Sequence, residues 1–155
     1  MDLKELHLGQ GMTKPQLLAL IEEATDANLF SAIKITGSFA EIRSRTVERQ
    51  ERPFPPLTEA TAHEAVKIFS EVSGTLAGFR TPAYAQGLGV AGFHLHYLSQ
   101  DKKAGGHALD YTTRDVVLQI ATLGSFHVEL PSTAEFLGAS LSGASIDQAI
   151  KKSEG

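Results

Sequence analysis

The sequence predicts a single α+β domain, in which a curved, mostly antiparallel or mixed β-sheet carries one N-terminal helix and a short C-terminal helix. Apolar residues recur at helical spacing in one well-capped segment near the N-terminus. From residue 29 onward, short runs of alternating apolar and polar residues follow one another between Gly and Pro breaks. With 155 residues, 42% of them hydrophobic, the chain is long enough to bury one ordinary core.

The N-terminal helix is predicted to begin at Thr13 and to end near Asn28. Thr13 is a good N-cap residue, and Gln16 stands at the position that completes a capping box. Leu17 and Ile21 belong to an apolar stripe with the spacing of one helix face. We expect this helix to be part of the scaffold and not of a functional site.

The domain boundaries follow from where this pattern begins. Residues 1–12 show no clear period and are predicted to be a tail, so that residues 13–155 form the single domain. Within that domain, residues 145–152 carry apolar positions at helical spacing and predict the short C-terminal helix.

The β-region is predicted to contain two hairpins followed by further strands. Turns are expected at Gly37-Ser38 and at Ser73-Gly74, because Gly and Ser are typical turn residues. The predicted strands begin at Leu29 and continue over 39–47, 65–72, 75–79, 90–98, 108–111, 116–120 and 126–130.

Composition and charge exclude several classes of protein. The chain has no Cys, so a thiolate metal site is excluded and any metal must be held by His or carboxylate side chains. The net charge of −4 argues against a nucleic-acid partner, which usually requires a basic face. No apolar run approaches membrane-spanning length, and no signal sequence opens the chain. We therefore expect a cytoplasmic protein without a membrane partner.

Three of the six histidines lie close together and predict a metal site. His94 and His96 stand two residues apart on a predicted strand, so their side chains project from the same face. His107 follows a polar loop and the glycines 105 and 106, which suits a return strand. Three neutral imidazoles that leave coordination positions open are typical of a catalytic zinc site. An ordinary strand that carries these histidines by chance is the alternative interpretation.

Arg45 is the candidate for binding the carboxylate of a substrate. A guanidinium group binds a carboxylate in a bidentate manner, although a solvated arginine at a strand edge is an equally good interpretation of the pattern. The proton donor is not identified by local pattern, since several glutamates (Glu41, Glu48, Glu51, Glu59 and Glu64) are equally possible.

Several ordered motifs together resemble the α-acetolactate decarboxylase family. The likeness extends from about Met12 to Glu154. The segments that carry it are Pro53–Leu57 (PFPPL), Ser73–Pro82 (SGTLAGFRTP), Gly92–His96 (GFHLH) and Gly105–His107 (GGH), with Arg45-Thr46-Val47 before them and Leu130-Pro131 after them.

The resemblance implies a zinc-dependent decarboxylation of 2-acetolactate, a 2-hydroxy-3-keto acid, to acetoin and carbon dioxide. It implies that zinc is held by His94, His96 and His107. It also places an active-site arginine of the family on Arg45 and a C-terminal glutamate on Glu154.

The chain also departs from the family, because members usually carry a further N-terminal β-rich region that supplies another active-site glutamate. We therefore expect an exposed sheet edge and a homo-oligomer. A catalytically weak domain that binds a metal or a hydroxy-keto acid is the first alternative function. A cupin-like metal oxygenase is the second, although the Glu expected soon after the HxH pair is replaced by Ser99-Gln100-Asp101.

Overall fold

The computed structural model describes residues 3–46, 49–52, 59 and 65–139. Five strands and a single helix of more than two turns form the described part of the chain, which confirms the predicted α+β class. In order the elements are β1 (Leu3–Leu8), α1 (Lys14–Ala24), β2 (Phe30–Thr46), β3 (Ala65–Thr81), a 3-10 turn (Ala83–Ala85), β4 (Gly92–Ser99), β5 (Gly105–Leu123) and α2 (Ala134–Leu137).

All neighbouring strands are antiparallel, and the sheet has the order β1-β5-β2-β3-β4. The start of β5 also pairs with β4, from Leu98↔Gly105 to His96↔His107. The four strands β2 to β5 therefore form a closed circuit with an inner and an outer face. Closing the circuit joins the first residues of β5 to the last residues of β4, from His96 onward.

The hydrophobic core lies on the inner face of this circuit. Helix α1 covers it with Leu17 and Ile21, both fully buried, and the Thr13 N–H donates to Gln16 Oε1 at 2.9 Å as the capping box predicts. The larger core residues of the strands are Ile33, Ile35, Phe39, Ile42, Leu76, Leu95, Tyr97, Leu118 and Ile120. The predicted helix is thus confirmed and packs on the core.

Both predicted hairpin turns are wrong. Gly37-Ser38 lies within β2 and Ser73-Gly74 lies within β3, each of which is a continuous strand of 17 residues. The two glycines are register partners across the β2–β3 pair. A Cβ atom on Gly37 would meet the carbonyl oxygen of Asp115, so glycine here permits close approach of strands and does not reverse the chain.

Two further predictions of local structure differ from the structure. Residues 3–8, expected in the tail 1–12, form β1, whose side chains are almost all exposed because it is an edge strand with little apolar pattern. Residues 126–130, expected as a strand, form an irregular segment after β5. The predicted helix 145–152 lies outside the described residues. Within the described ranges, no helix is long and apolar enough to cross a membrane.

Candidate metal centre

Strand alternation places His94 and His96 on the outer face of β4. Between and beside them, Leu95 and Tyr97 point to the inner face, where their exposed fractions are 3% and 2%. The apolar residues thus fix the orientation of the strand, because a shift by one residue would bury both histidines and expose both core residues. His94 is half-buried and His96 is exposed.

His107 reaches the same face from the start of β5. It is the direct register partner of His96, and side chains of directly opposed residues lie on one face of a sheet. A short hairpin loop connects the two strands. In that loop Ser99 Oγ donates to Asp101 Oδ1 at 2.6 Å, and the Ala104 N–H donates to Ser99 Oγ at 3.0 Å. Asp101 therefore stabilises the loop that brings His107 next to His96.

The three imidazoles are close enough to share one ion. Their candidate ligand atoms all lie within 4.8 Å of one another, and His94 Nε2 is 3.0 Å from His96 Nε2. Zinc–nitrogen bonds of ~2.0–2.1 Å in tetrahedral geometry place ligand nitrogens roughly 3.3 Å apart. The triad therefore fits a small divalent cation with side-chain adjustments only. The predicted approach of His94, His96 and His107 is confirmed.

The environment keeps His107 in the neutral form that binds a metal. The pKa of His107 is lowered from 6.5 to about 4, chiefly by burial and additionally by the nearby charges of His94, Arg45, His96 and Lys14. A metal ion binds the deprotonated imidazole, so no proton has to be displaced from His107 at neutral pH.

Arg45 lies on β2 directly opposite His107, in the register of the β2–β5 pair. Opposed residues share a face, so the half-buried Arg45 side chain belongs to the face of the triad. Its positive charge contributes to the lowered pKa of His107. The structure therefore places Arg45 beside the histidines, and its role in binding a carboxylate stays a prediction.

The proton donor is not found among the described residues. Glu154 lies outside them, as do Glu48 and Glu64. Glu41, Glu51 and Glu59 are described and exposed, yet the group of possible metal ligands consists of the three histidines without a carboxylate. The assignment of Glu154 thus stays a prediction that rests on the resemblance.

An apolar cavity of about 280 Å³ opens beside His94 on the outer face. Phe79, the register partner of His94, lines it together with Phe30 and Phe126. Sequence reasoning missed this cavity because its walls come from segments far apart in the chain. The available signal was Phe79 itself, a large apolar residue on the polar side of an alternating strand.

The fold and the site together define a class of protein: an α+β domain whose closed antiparallel sheet presents three histidines and an arginine on its outer face. The model of the alpha-acetolactate decarboxylase family matches residues 2–143. The chain belongs to this family, and the cupin-like alternative finds no support in the match.

Similar proteins come from several organisms. The alpha-acetolactate decarboxylase of Bacillus subtilis strain 168 is 41% identical over 128 residues, which are 83% of this chain and 50% of that protein. The enzyme of the same name from Methylococcus capsulatus is 39% identical over 140 residues, or 90% of this chain and 54% of that protein. The chain therefore spans about half the length of the curated relatives it matches.

A solved structure shows the same architecture. The crystal structure of the alpha-acetolactate decarboxylase from Bacillus subtilis strain 168 superimposes with a TM-score of 0.93 at 36% sequence identity. The superposition covers 98% of this chain and 65% of that chain. Nearly every residue of the present chain thus has a counterpart in a larger relative.

Proposed function

We propose that this chain carries the metal centre of an acetolactate decarboxylase and supports the zinc-dependent conversion of 2-acetolactate to acetoin and carbon dioxide. The observation that carries the proposal is the juxtaposition of three histidines with Arg45 on one face. The family membership supports the reaction class. The cytoplasmic location and the homo-oligomer remain our expectations.

His94, His96 and His107 would hold the ion through one ring nitrogen each. All three ligands are neutral, so the ion would keep its full divalent charge. When bound, zinc supplies a charge that polarises two substrate oxygens and stabilises the negative charge that develops as carbon dioxide leaves. The imidazoles come from two adjacent strands, which fix their mutual spacing before substrate binds.

Arg45 would bind and orient the substrate carboxylate. A bidentate guanidinium–carboxylate pair fixes both the position and the plane of the carboxylate. Because its register neighbour His107 is one of the proposed metal ligands, a carboxylate bound to Arg45 would keep the rest of the substrate beside the ion. The proton that replaces carbon dioxide would come from a carboxylic acid, for which Glu154 is our candidate.

A catalytically weak domain that binds metal or hydroxy-keto acid is the second candidate function. It is favoured by two observations: the chain spans about half of its curated relatives, and no carboxylate joins the triad among the described residues. The two functions share the metal centre and differ in proton transfer.

Acetoin formation from racemic 2-acetolactate distinguishes the two functions. The purified chain is assayed with zinc, after removal of metal by a chelator, and after zinc is restored. We expect turnover that disappears and returns with zinc. Binding of the substrate without turnover would favour the second function, and zinc-independent turnover would contradict the proposed metal centre.

The role of Arg45 is tested by Arg45→Ala, with Arg43→Ala as a matched control on the exposed part of the same strand. Loss of a bidentate pair to a carboxylate should weaken substrate binding by roughly ten- to a hundredfold, at ~1.5–3 kcal/mol for hydrogen bonds to charged groups. Zinc content should stay unchanged. Equal substrate affinity in the Arg45 and Arg43 variants would show that Arg45 does not bind the carboxylate.

A further inference from the structure

The cavity beside His94 has a strongly apolar lining. Apart from His94 and a few small residues, its walls are the side chains Phe30, Phe79, Leu88, Val90, Leu123 and Phe126. His94 belongs both to this lining and to the histidine triad. One end of the cavity therefore lies at the metal centre.

The positions of the aromatic walls are fixed by strand register. Phe79 on β3 is opposed on one side by His94 and on the other by Ala32. Phe30, two residues before Ala32 on β2, stacks with Phe126 from the irregular segment after β5, with ring centroids 5.3 Å apart and planes at 14°. The two faces of the cavity thus come from the sheet and from the segment that follows it.

These aromatic side chains leave much apolar surface unburied. Phe79 is 54% exposed and Phe126 is 52% exposed. An exposed apolar patch beside a polar site is typical of a ligand-binding cavity, in which a few polar groups fix the ligand and apolar walls bury the rest of it. Here the polar groups are those of the triad and Arg45.

The size of the cavity exceeds what a methyl group can fill. A volume of about 280 Å³ corresponds to roughly nine water-sized volumes of ~30 Å³ each. A ligand whose only apolar groups are methyls would leave most of this space to water. Phe79 and Phe126 would then stay largely solvated.

We infer that the metal centre takes ligands with an apolar substituent of several carbon atoms, which lies in the cavity between Phe79 and Phe126. The ligand class is a small acid or acid analogue that offers two oxygens to the metal and carries an alkyl chain longer than methyl. Phe79 and Phe126 determine which chain lengths bind. This inference rests on the metal centre of the proposed function and adds a selectivity to it.

The test uses straight-chain aliphatic hydroxamates, which present two oxygens to a metal ion and need no turnover. Calorimetry measures their binding to the zinc-loaded chain, from acetohydroxamate to hexanohydroxamate. At ~0.8 kcal/mol for each buried methylene, affinity should rise about three- to fourfold per methylene and on the order of 100- to 200-fold over the added methylenes of the series. An affinity that does not depend on chain length would overturn the inference.

Two variants locate the effect in the cavity. Phe79→Ala and Phe126→Ala should each reduce the ratio of hexanohydroxamate affinity to acetohydroxamate affinity by about tenfold. The affinity for acetohydroxamate itself should stay the same. Phe126 belongs to no strand, so its variant keeps the test valid if Phe79→Ala fails to fold. Leu98→Ala is the control, since Leu98 is a 46% exposed residue of the same β4 face outside this cavity. A full chain-length gain in both Phe variants would contradict the inference.

The outcomes separate this inference from the proposed function. Chain-length-dependent hydroxamate binding without acetoin formation would support the cavity and contradict decarboxylation. Acetoin formation together with hydroxamate binding that does not depend on chain length would support decarboxylation and contradict the role of the cavity. If acetohydroxamate itself does not bind, the metal anchor is missing and the inference is overturned with it.

Discussion

His96 links the two strands of the metal centre. It follows His94 on β4, with their Nε2 atoms 3.0 Å apart, and it opposes His107 on β5. Its side chain is exposed, so replacing it removes a proposed ligand without opening a hole in the core. The effect of a substitution at His96 should therefore fall on metal binding and not on folding.

His96→Ala should lower zinc affinity by more than about 100-fold, because a lost ligand costs more than the ten- to hundredfold loss seen on removing a group that only orients a ligand. Competition with a chromogenic chelator measures the affinity, and thermal unfolding without metal checks the fold. His127→Ala, an exposed histidine in the segment after β5, is the control. Equal zinc affinities in the two variants would exclude His96 as a ligand.

In the metal-free protein, the protonation of His107 should make the free energy of folding depend on pH. Its pKa is lowered to about 4 in the fold, chiefly by burial, whereas an unperturbed histidine titrates near 6.5. Between pH 6.5 and 4 the unfolded chain therefore takes up a proton at this site and the folded chain does not. Folding is consequently less favourable as pH falls through this window, and the histidine contributes no such loss above it.

Proton-detected NMR of the imidazole signals in the chelator-treated protein measures this pKa directly. We expect the His107 signals to remain those of a neutral ring at pH 5. A midpoint for His107 near 6.5 would show that burial does not exclude the proton.

At the scale of the element, the fit of β3 against β4 sets the position of the triad. Gly78 opposes Leu95 in the register, and a Cβ atom there would meet the carbonyl oxygen of His94 and lie 3.0 Å from Leu95 Cα. Backbone atoms cannot rotate away as a flexible side chain can. A side chain at Gly78 must therefore push β4 outward at His94.

Gly78→Ala should destabilise the fold by about 1–3 kcal/mol, the usual cost of overpacking. It should also weaken zinc binding, because His94 moves with its strand. Denaturant unfolding and chelator competition measure the two effects. Gly124→Ala is the control, since a Cβ atom there has no neighbour within 4 Å. If both variants keep wild-type stability, the tight β3–β4 contact is not what holds His94 in place.

The elements also show what could be predicted from the sequence. Helix α1 was predictable because its capping and its apolar stripe are local, and the histidines were predictable because strand alternation is local. The glycine pair at 37 and 74 resembled turns, since close strand packing and chain reversal both favour glycine. The cavity between Phe79 and Phe126 depends on register between distant segments, which no local pattern contains.

At the scale of the whole molecule, the sheet has two exposed edges of different character. β1 forms one edge, and its exposed charged residues Lys4 and Glu5 discourage pairing with another chain. On the other side, β4 covers β3 only from Gly74 to Thr81. Within the described residues, β2 alone pairs with residues 65–72, so the opposite edge of this stretch has no strand beside it. In this stretch Val66 is 48% exposed and Ile68 is 62% exposed.

The isolated chain should therefore self-associate through this part of β3, since an exposed apolar strand edge is a template for pairing with a second copy. Sedimentation velocity over a wide concentration range should show a dimer or larger species. Ile68→Lys adds a charge to the edge and should shift the chain toward monomer without lowering zinc content. Leu137→Lys places the same charge on the exposed helix α2, away from the sheet, and should leave association unchanged. A wild-type chain that stays monomeric at every concentration would contradict association, and equal association of both variants would place the contact elsewhere than β3.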